Sequence, residues 1–301
     1  VTDHDALLAA YDDLRPWVPF DPPPGLTYES RGSVLRVVGQ YRGFIDTARD
    51  VGVQGEALDS LITEQRDFFA QRGEAVEWKT RGHDEPPDLP ARLLAAGFVP
   101  EERETVVIGD ARQMAVEPVL PDGVQLRQVH EPGDFERIAA MESEVWDDDF
   151  SWMAQDLHAR VQTSPHEIVV LVAEADGQVV SAAWLVFKPG TEFAGLWGGS
   201  TLPDWRGRGI YRALVARRAQ LACARGVRYL QVDASDESRP ILLKLGFQAV
   251  TTTTPYVWTP GTIVTNRGAR VPLLPAVWLS AHDRPELVGT GEDDGAHDLT
   301  A

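Results

Sequence analysis

The stretch Thr201-Leu-Pro-Asp-Trp-Arg-Gly-Arg-Gly-Ile-Tyr-Arg212 constrains this chain more than any other. Apolar residues precede it (Phe193, Leu196, Trp197), and a helical pattern follows it (Ile210, Leu214, Val215, Leu221). Arg206 to Tyr211 therefore reads as a strand-to-helix turn. Glycines there let the backbone approach a ligand closely, and the helix start leaves N–H groups without partners. Such a turn suits an anion, a pyrophosphate in particular.

A phosphate-binding P-loop needs Gly-Lys-Ser/Thr, which is missing, and the dinucleotide fingerprint needs a third glycine where Arg212 stands. What remains resembles motif A of the GCN5-related N-acetyltransferases (GNAT), Gln/Arg-x-x-Gly-x-Gly/Ala. Arg206 and Gly209 match its first and fourth positions, and Tyr211 departs from the small residue of the sixth. From Trp205 to Val232 there are seven arginines and no carboxylate, in a chain whose formal net charge is −18. This local reversal of sign suits the phosphates of coenzyme A. Arg217 and Arg218 read as part of a solvated helix face. Downstream, Tyr229 to Ala234 reads as a strand and Ser238 to Leu245 as a short helix closed by Leu245-Gly246-Phe247, the order and corner of the same family.

At 301 residues the chain has room for two cores. No apolar run is long enough to span a bilayer, and no signal-peptide pattern is present, so the expected location is cytoplasmic. Cys223, the single cysteine, excludes an internal disulfide and reads as a small core residue. The seven histidines lack metal-ligand spacing, and no metal is expected. A pI near 4.7 argues against nucleic acid and mildly favours a cationic or amine substrate. Lysine occurs only at 79, 188 and 244, as GC-rich bacterial coding would produce.

Strands are expected at Leu26 to Ser30, Val34 to Val38, Gly43 to Thr47, Ala75 to Lys79 and Thr105 to Ile108, with helices at Asp5 to Leu14, Gly55 to Gln71 and Asp88 to Ala96. The span from Arg72-Gly73 to Ala96-Gly97-Phe98 resembles that from Arg225-Gly226 to Leu245-Gly246-Phe247, with glycine spacings of 97 − 73 = 24 and 246 − 226 = 20. This implies an internal duplication. The earlier copy has Val53-Gln54-Gly55-Glu56-Ala57 in place of the Gly-rich turn, and Glu56 would repel a phosphate at that helix start. Residues 1–110 thus resemble an incomplete GNAT unit, structural or walling a substrate cleft, and 111–122 is a linker. Residues 123–258 read β-α-α-β-β-β-α-β-α-β, with a hairpin at Asp176-Gly177. The fold class is α/β, a mixed sheet of GNAT type. Residues 259–301 fall outside the resemblance; Val271 to Leu279 is apolar and suited to docking. From Glu286 onward five carboxylates and no Lys or Arg predict disorder.

The resemblance implies acetyl transfer from acetyl-CoA to a small-molecule amine by a monomer or homodimer. It places the cofactor against Ser200, Thr201, Arg206, Gly207, Arg208, Gly209, Ile210, Tyr211, Arg212 and Ser235, and implies that backbone N–H groups at Gly198-Gly199-Ser200-Thr201 polarise the thioester. The family's acid, a tyrosine four residues before the "LGF" glycine, is Leu242 here, so Tyr256 or Tyr211 must substitute unless water relays the proton. Glu192 is the candidate base. Trp146 to Phe150 is the expected substrate loop, with Trp146, Asp148 and Asp149 as acceptor contacts beside Asp233. A tandem acetyltransferase similar to mycothiol synthase is the alternative within the class, and a non-catalytic acyl-CoA sensor is the alternative outside it.

Overall fold

The computed structural model describes residues 4–260 apart from 16, 20, 21, 23, 24, 40 and 41. The expected docking segment at 271–279 and the acidic tail from 286 lie outside the described residues. The first half runs α1 (His4–Leu14), β1 (Thr27–Arg31), β2 (Val34–Val38), β3 (Gly43–Thr47), α2 (Glu56–Arg72), β4 (Val76–Arg81), α3 (Leu89–Ala95), β5 (Val99–Pro100) and β6 (Glu104–Asp110). A short helix, α4 (Ala111–Met114), follows at once, capped by Asp110, whose carboxylate accepts the N–H groups of Arg112 and Gln113. The second half runs β7 (Val124–Gln128), α5 (Pro132–Trp146), α6 (Ser151–Thr163), β8 (Ile168–Ala175), β9 (Gln178–Phe187), β10 (Phe193–Thr201), α7 (Ile210–Ala224), β11 (Tyr229–Ala234), α8 (Arg239–Lys244) and β12 (Gln248–Trp258).

Both halves share one mixed sheet, in the order β1-β2-β3-β4-β12-β6-β11-β10-β9-β8-β7, with β5 beside β12. The halves are joined by exchanging their last strands. β6, from the first half, pairs antiparallel with β11 over Thr105–Asp110, and β12, from the second, pairs antiparallel with β4 over Thr253–Trp258. Each exchanged strand also carries side chains into the other half's core. Val107 of β6 packs with Leu230 and Phe247, and Tyr256 of β12 packs with Trp78 and Phe98. At about 1.5–3 kcal/mol for each fully buried apolar side chain, these contacts make a strong joint.

The halves repeat one another locally. Helix α2 ends on Gly73 (φ 66°), whose N–H bonds back to Ala70, and α7 is followed by Gly226 (φ 77°). Each is followed by a strand, a helix with proline in its first turn, and a left-handed glycine, Gly97 or Gly246. Arg218 departs from its expected solvated position. It is 1% exposed and donates to the carbonyls of Leu214, Trp184 and Trp197. An Ala-rich helix packed closely on a sheet leaves no route to solvent for a side chain on its inner face, so the guanidinium ends on backbone oxygens. Burial pulls its pKa down to about 10.

Candidate active site

Strands β10 and β11 run parallel and pair only over Phe193–Gly195 and Tyr229–Gln231. Beyond Gly195 they part. A bulge in β10 follows, between Gly198 and Ser200. Gly198 (φ 63°) and Gly199 (φ 99°) adopt left-handed backbone, and the rings of Trp184 and Tyr211 stand 2.8 and 2.6 Å from where their Cβ atoms would be. Any side chain there would collide with an aromatic ring.

The splay opens near the start of α7. After a 3-10 turn at Pro203–Trp205 the chain reaches Gly209 (φ 88°), the helix N-cap, which has no side chain to offer, and the first turn carries no acidic residue. The leading N–H groups of α7 therefore lack a side-chain cap. A Cβ at Gly207 would meet nothing within 4 Å, and one at Gly209 only the Val119 carbonyl, at 3.8 Å. The arginines of the turn divide their work. Arg206 donates to the Thr201 carbonyl at 2.9 Å and braces the loop, Arg208 lies over Trp205 at 4.9 Å, and Arg212 is exposed. Arg212 lines a cavity of about 240 Å³ with Lys244 between α4, α7 and the end of α8. Of the expected contacts, Ile210 is buried in the core, Thr201 is held by Ser181 at 2.9 Å, and Ser235 accepts the Ser238 N–H at 3.3 Å. The remaining arginines of the basic stretch lie elsewhere: Arg225 stacks on Phe187 and Arg228 faces Glu192.

One residue at the splay escaped sequence reasoning. Glu142, on the last turn but one of α5, is 2% exposed. The Trp146 indole N–H donates to Glu142 Oε2 at 3.0 Å and to Ser200 Oγ at 3.3 Å. Burial pushes the Glu142 pKa up to about 7, against the opposing pull of Ser200 and Trp146. A carboxyl that titrates near neutrality beside a bulged strand end is suited to moving a proton. Its sequence signal was slight: a glutamate four residues before Trp146, one helical turn away on the same face. Tyr211, packed on Gly199, is the expected tyrosine that the structure brings to the splay. Burial raises its phenol, with Arg218 pulling the other way.

Other expected residues lie apart from this cluster. Tyr256 sits in the first half's core, because β12 belongs to β4's side of the sheet. Glu192 is exposed, 3.7 Å from Arg228, and precedes β10. It stands at the opposite end of that strand from Ser200, about 25 Å away at ~3.3 Å per residue. Asp148 and Asp149 accept the backbone N–H groups of Asp149 and Ser151 and so shape the α5–α6 turn. Asp233 is bound by Lys79 Nζ at 2.6 Å and by Gln231 Nε2 at 2.7 Å. Burial opposes its charge, yet Lys79 and the other cations outweigh this and hold its pKa below the usual range.

Among the described residues no group of three His, Cys, Asp or Glu side chains could hold a metal ion, and no helix is long and apolar enough to cross a membrane. No curated protein matches the chain. Among solved structures, a GCN5-related N-acetyltransferase from Kribbella flavida superposes with a TM-score of 0.61 at 16% identity, covering 86% of this chain and 96% of that one. A tandem GNAT protein from the clavulanic acid biosynthesis pathway gives 0.59 at 14% identity, with the same two coverages. A GCN5-related N-acetyltransferase from Sphaerobacter thermophilus gives 0.55 at 18%, covering 78% and 83%. These likenesses establish the fold. Residues 134–247, the segment that holds both the splay and the uncapped start of α7, match the model of the acetyltransferase (GNAT) family.

Proposed function

We propose that the second half, 123–258, transfers the acetyl group of acetyl-CoA to a primary amine of a small molecule. The observation that carries this reading is the parting of β10 and β11 after Gly195, which opens toward the uncapped α7 helix start at Gly209. An acyl thioester laid in the splay would bring its pyrophosphate to that helix start, where N–H groups and the helix dipole favour negative charge. Arg212 and Lys244 supply further cations beside α7. The first half, 1–110, is proposed to bind no cofactor. Its α2 begins Gly55-Glu56, and Arg92 donates to the Gly55 carbonyl and to Asp59 there.

Transfer requires the amine lone pair to attack the thioester carbonyl carbon, the C–S bond to break, and a proton to move from nitrogen to sulfur. Glu142, its pKa pushed up to about 7 by burial, is assigned as the base that accepts the amine proton. Tyr211 is assigned as the phenol that returns a proton to the departing thiolate. Leu242, at the family's tyrosine position, is fully buried in the core and carries no proton to give.

The test is incubation with acetyl-CoA and a panel of amines, following free thiol, beside calorimetric titration with CoA. Thiol release dependent on an amine supports the reading. CoA binding with no release across the panel would leave the sensor alternative, and no CoA binding would overturn both.

A further inference from the structure

A cavity of about 110 Å³ lies between the halves, reaching from Tyr11 and Arg15 at the end of α1 to Trp197, Gln231 and Asp233 where β10 and β11 part. It is lined by four cations, Arg15, Lys79, Arg81 and Lys188, and by two carboxylates, Asp46 and Asp233. Both carboxylates are engaged: Arg81 grips Asp46 through both terminal nitrogens, and Lys79 holds Asp233 at 2.6 Å.

The other two cations are incompletely matched. The Arg15 side chain is 1% exposed, and its Nη1 lies 2.8 Å from Asp84 and 3.3 Å from Asp12. Among the described residues its Nε and Nη2 have no hydrogen-bond partner, and Nε is 4.0 Å from Asp46. Two buried N–H-bearing nitrogens without acceptors cost about 1–3 kcal/mol each, a cost that a bound anion would remove. Lys188 follows β9 and lies within the field of Asp233, Asp46, Arg81 and Lys79, yet has no carboxylate within 4.0 Å among the described residues. Burial lowers its pKa to about 8, so it is mostly charged at neutral pH.

We infer that this cavity receives a carboxylate of the acceptor, held by Arg15 and Lys188, so that the acceptor is an amino acid or a similar amino-carboxylic acid rather than a simple amine. The inference rests on the acetyl-transfer reading and specifies its substrate class. Trp197 and Asp233 belong both to the cavity wall and to the parting strands. A carboxylate at Lys188 and Arg15 therefore leaves the rest of the same small molecule to run along Trp197 and Asp233 toward the splay. The acidic composition of the whole chain points toward cations, whereas the unfilled donors of this cavity point the other way; a local site outweighs a screened net charge.

The test uses the full-length protein with acetyl-CoA and pairs of acceptors: each common amino acid beside the amine that has hydrogen in place of its carboxyl. The wild type should turn over at least one amino acid with kcat/KM roughly tenfold to a hundredfold above that of its amine, the range for hydrogen bonds to charged groups. Lys188→Met widows no carboxylate and should collapse that ratio toward one. Arg15→Lys, which keeps the charge opposite Asp84, should lower it in part. Turnover indifferent to the carboxyl, or a ratio unchanged in Lys188→Met, would overturn the inference while leaving the acetyl-transfer reading intact. If CoA binds but no acceptor releases thiol, titrating the same amino acids against tryptophan fluorescence decides the matter separately. Binding weakened at least tenfold by Lys188→Met supports the anion site, and no binding by the wild type overturns it.

Discussion

Lys79 of β4 and Asp233 of β11 meet at 2.6 Å, a buried ion pair between residues that belong to different halves of the chain. Burial opposes the charge of Lys79, but Asp233, with Glu104 and Glu77, outweighs it and holds the ammonium well above its ordinary pKa. Removing one partner should leave a buried charge uncompensated. Lys79→Met is expected to destabilise the protein by about 3–5 kcal/mol. Adding Asp233→Leu should recover much of the loss, as urea melts of the two variants would reveal.

Glu142 should govern the pH profile. Its pKa of about 7 lies above the ordinary value of 4.5, and a base must be deprotonated to work. The kcat/KM should therefore rise with pH through about 7. Stability moves the other way: the protonated carboxyl suits its buried site, so its contribution is full below about 4.5 and is lost as pH rises through about 7. The loss is roughly 3 kcal/mol, at 1.36 kcal/mol per pKa unit. Glu142→Gln is expected to lower kcat by roughly 10²–10⁴ and yet to melt at a higher temperature than the wild type at pH 8. A variant both active and less stable at pH 8 would refute the assignment.

The two tyrosines should separate. Tyr211→Phe is expected to reduce kcat by roughly 10²–10⁴ with CoA affinity nearly unchanged. Tyr256→Phe should leave kcat alone, since that phenol lies in the first half's core. If both substitutions are silent, water carries the proton to sulfur.

Gly209→Asp places an anion at the start of α7, and Gly209→Asn reproduces its shape and backbone strain without the charge. Calorimetry should find CoA binding weakened by roughly tenfold or more in the aspartate variant relative to the asparagine one. Equal affinities would remove the phosphate from this helix.

A single CoA equivalent is expected per chain. Glu56 and Asp59 occupy the first turn of α2, whereas the first turn of α7 carries no acidic residue. A second equivalent in the titration would contradict the assignment of the first half.

The glycine turn was legible because its chemistry is local: Gly209 reaches φ 88° without the Cβ penalty that other residues carry there, and the apolar pattern of Ile210, Leu214 and Val215 marks the helix beyond it. The paired Arg-Gly to Gly-Phe spans exposed the repeat for the same reason. Glu142 was not legible, because nothing in Met-Glu-Ser-Glu-Val-Trp says which glutamate is buried; Ser200, far along the chain, decides it. Arg218 was misplaced for a like reason, since its partners are carbonyls of two strands. The strand exchange left no trace in periodicity, because β6 reads as an apolar strand whether Ile108 faces its own half or Gln231.

That exchange also fixes the order of events during synthesis. The sheet edge at β4 stays open until β12, which ends at Trp258, has emerged, and β6 has neither of its sheet neighbours, β11 and β12, until the second half is made. The first half therefore cannot mature on the ribosome ahead of the second. The nascent chain carries an unpaired β4 edge until then, the kind of edge on which chaperones and aggregation compete. A gene cut at the apparent junction near residue 110 would yield two fragments, each missing the strand that the other holds, and only their co-expression would restore a closed sheet.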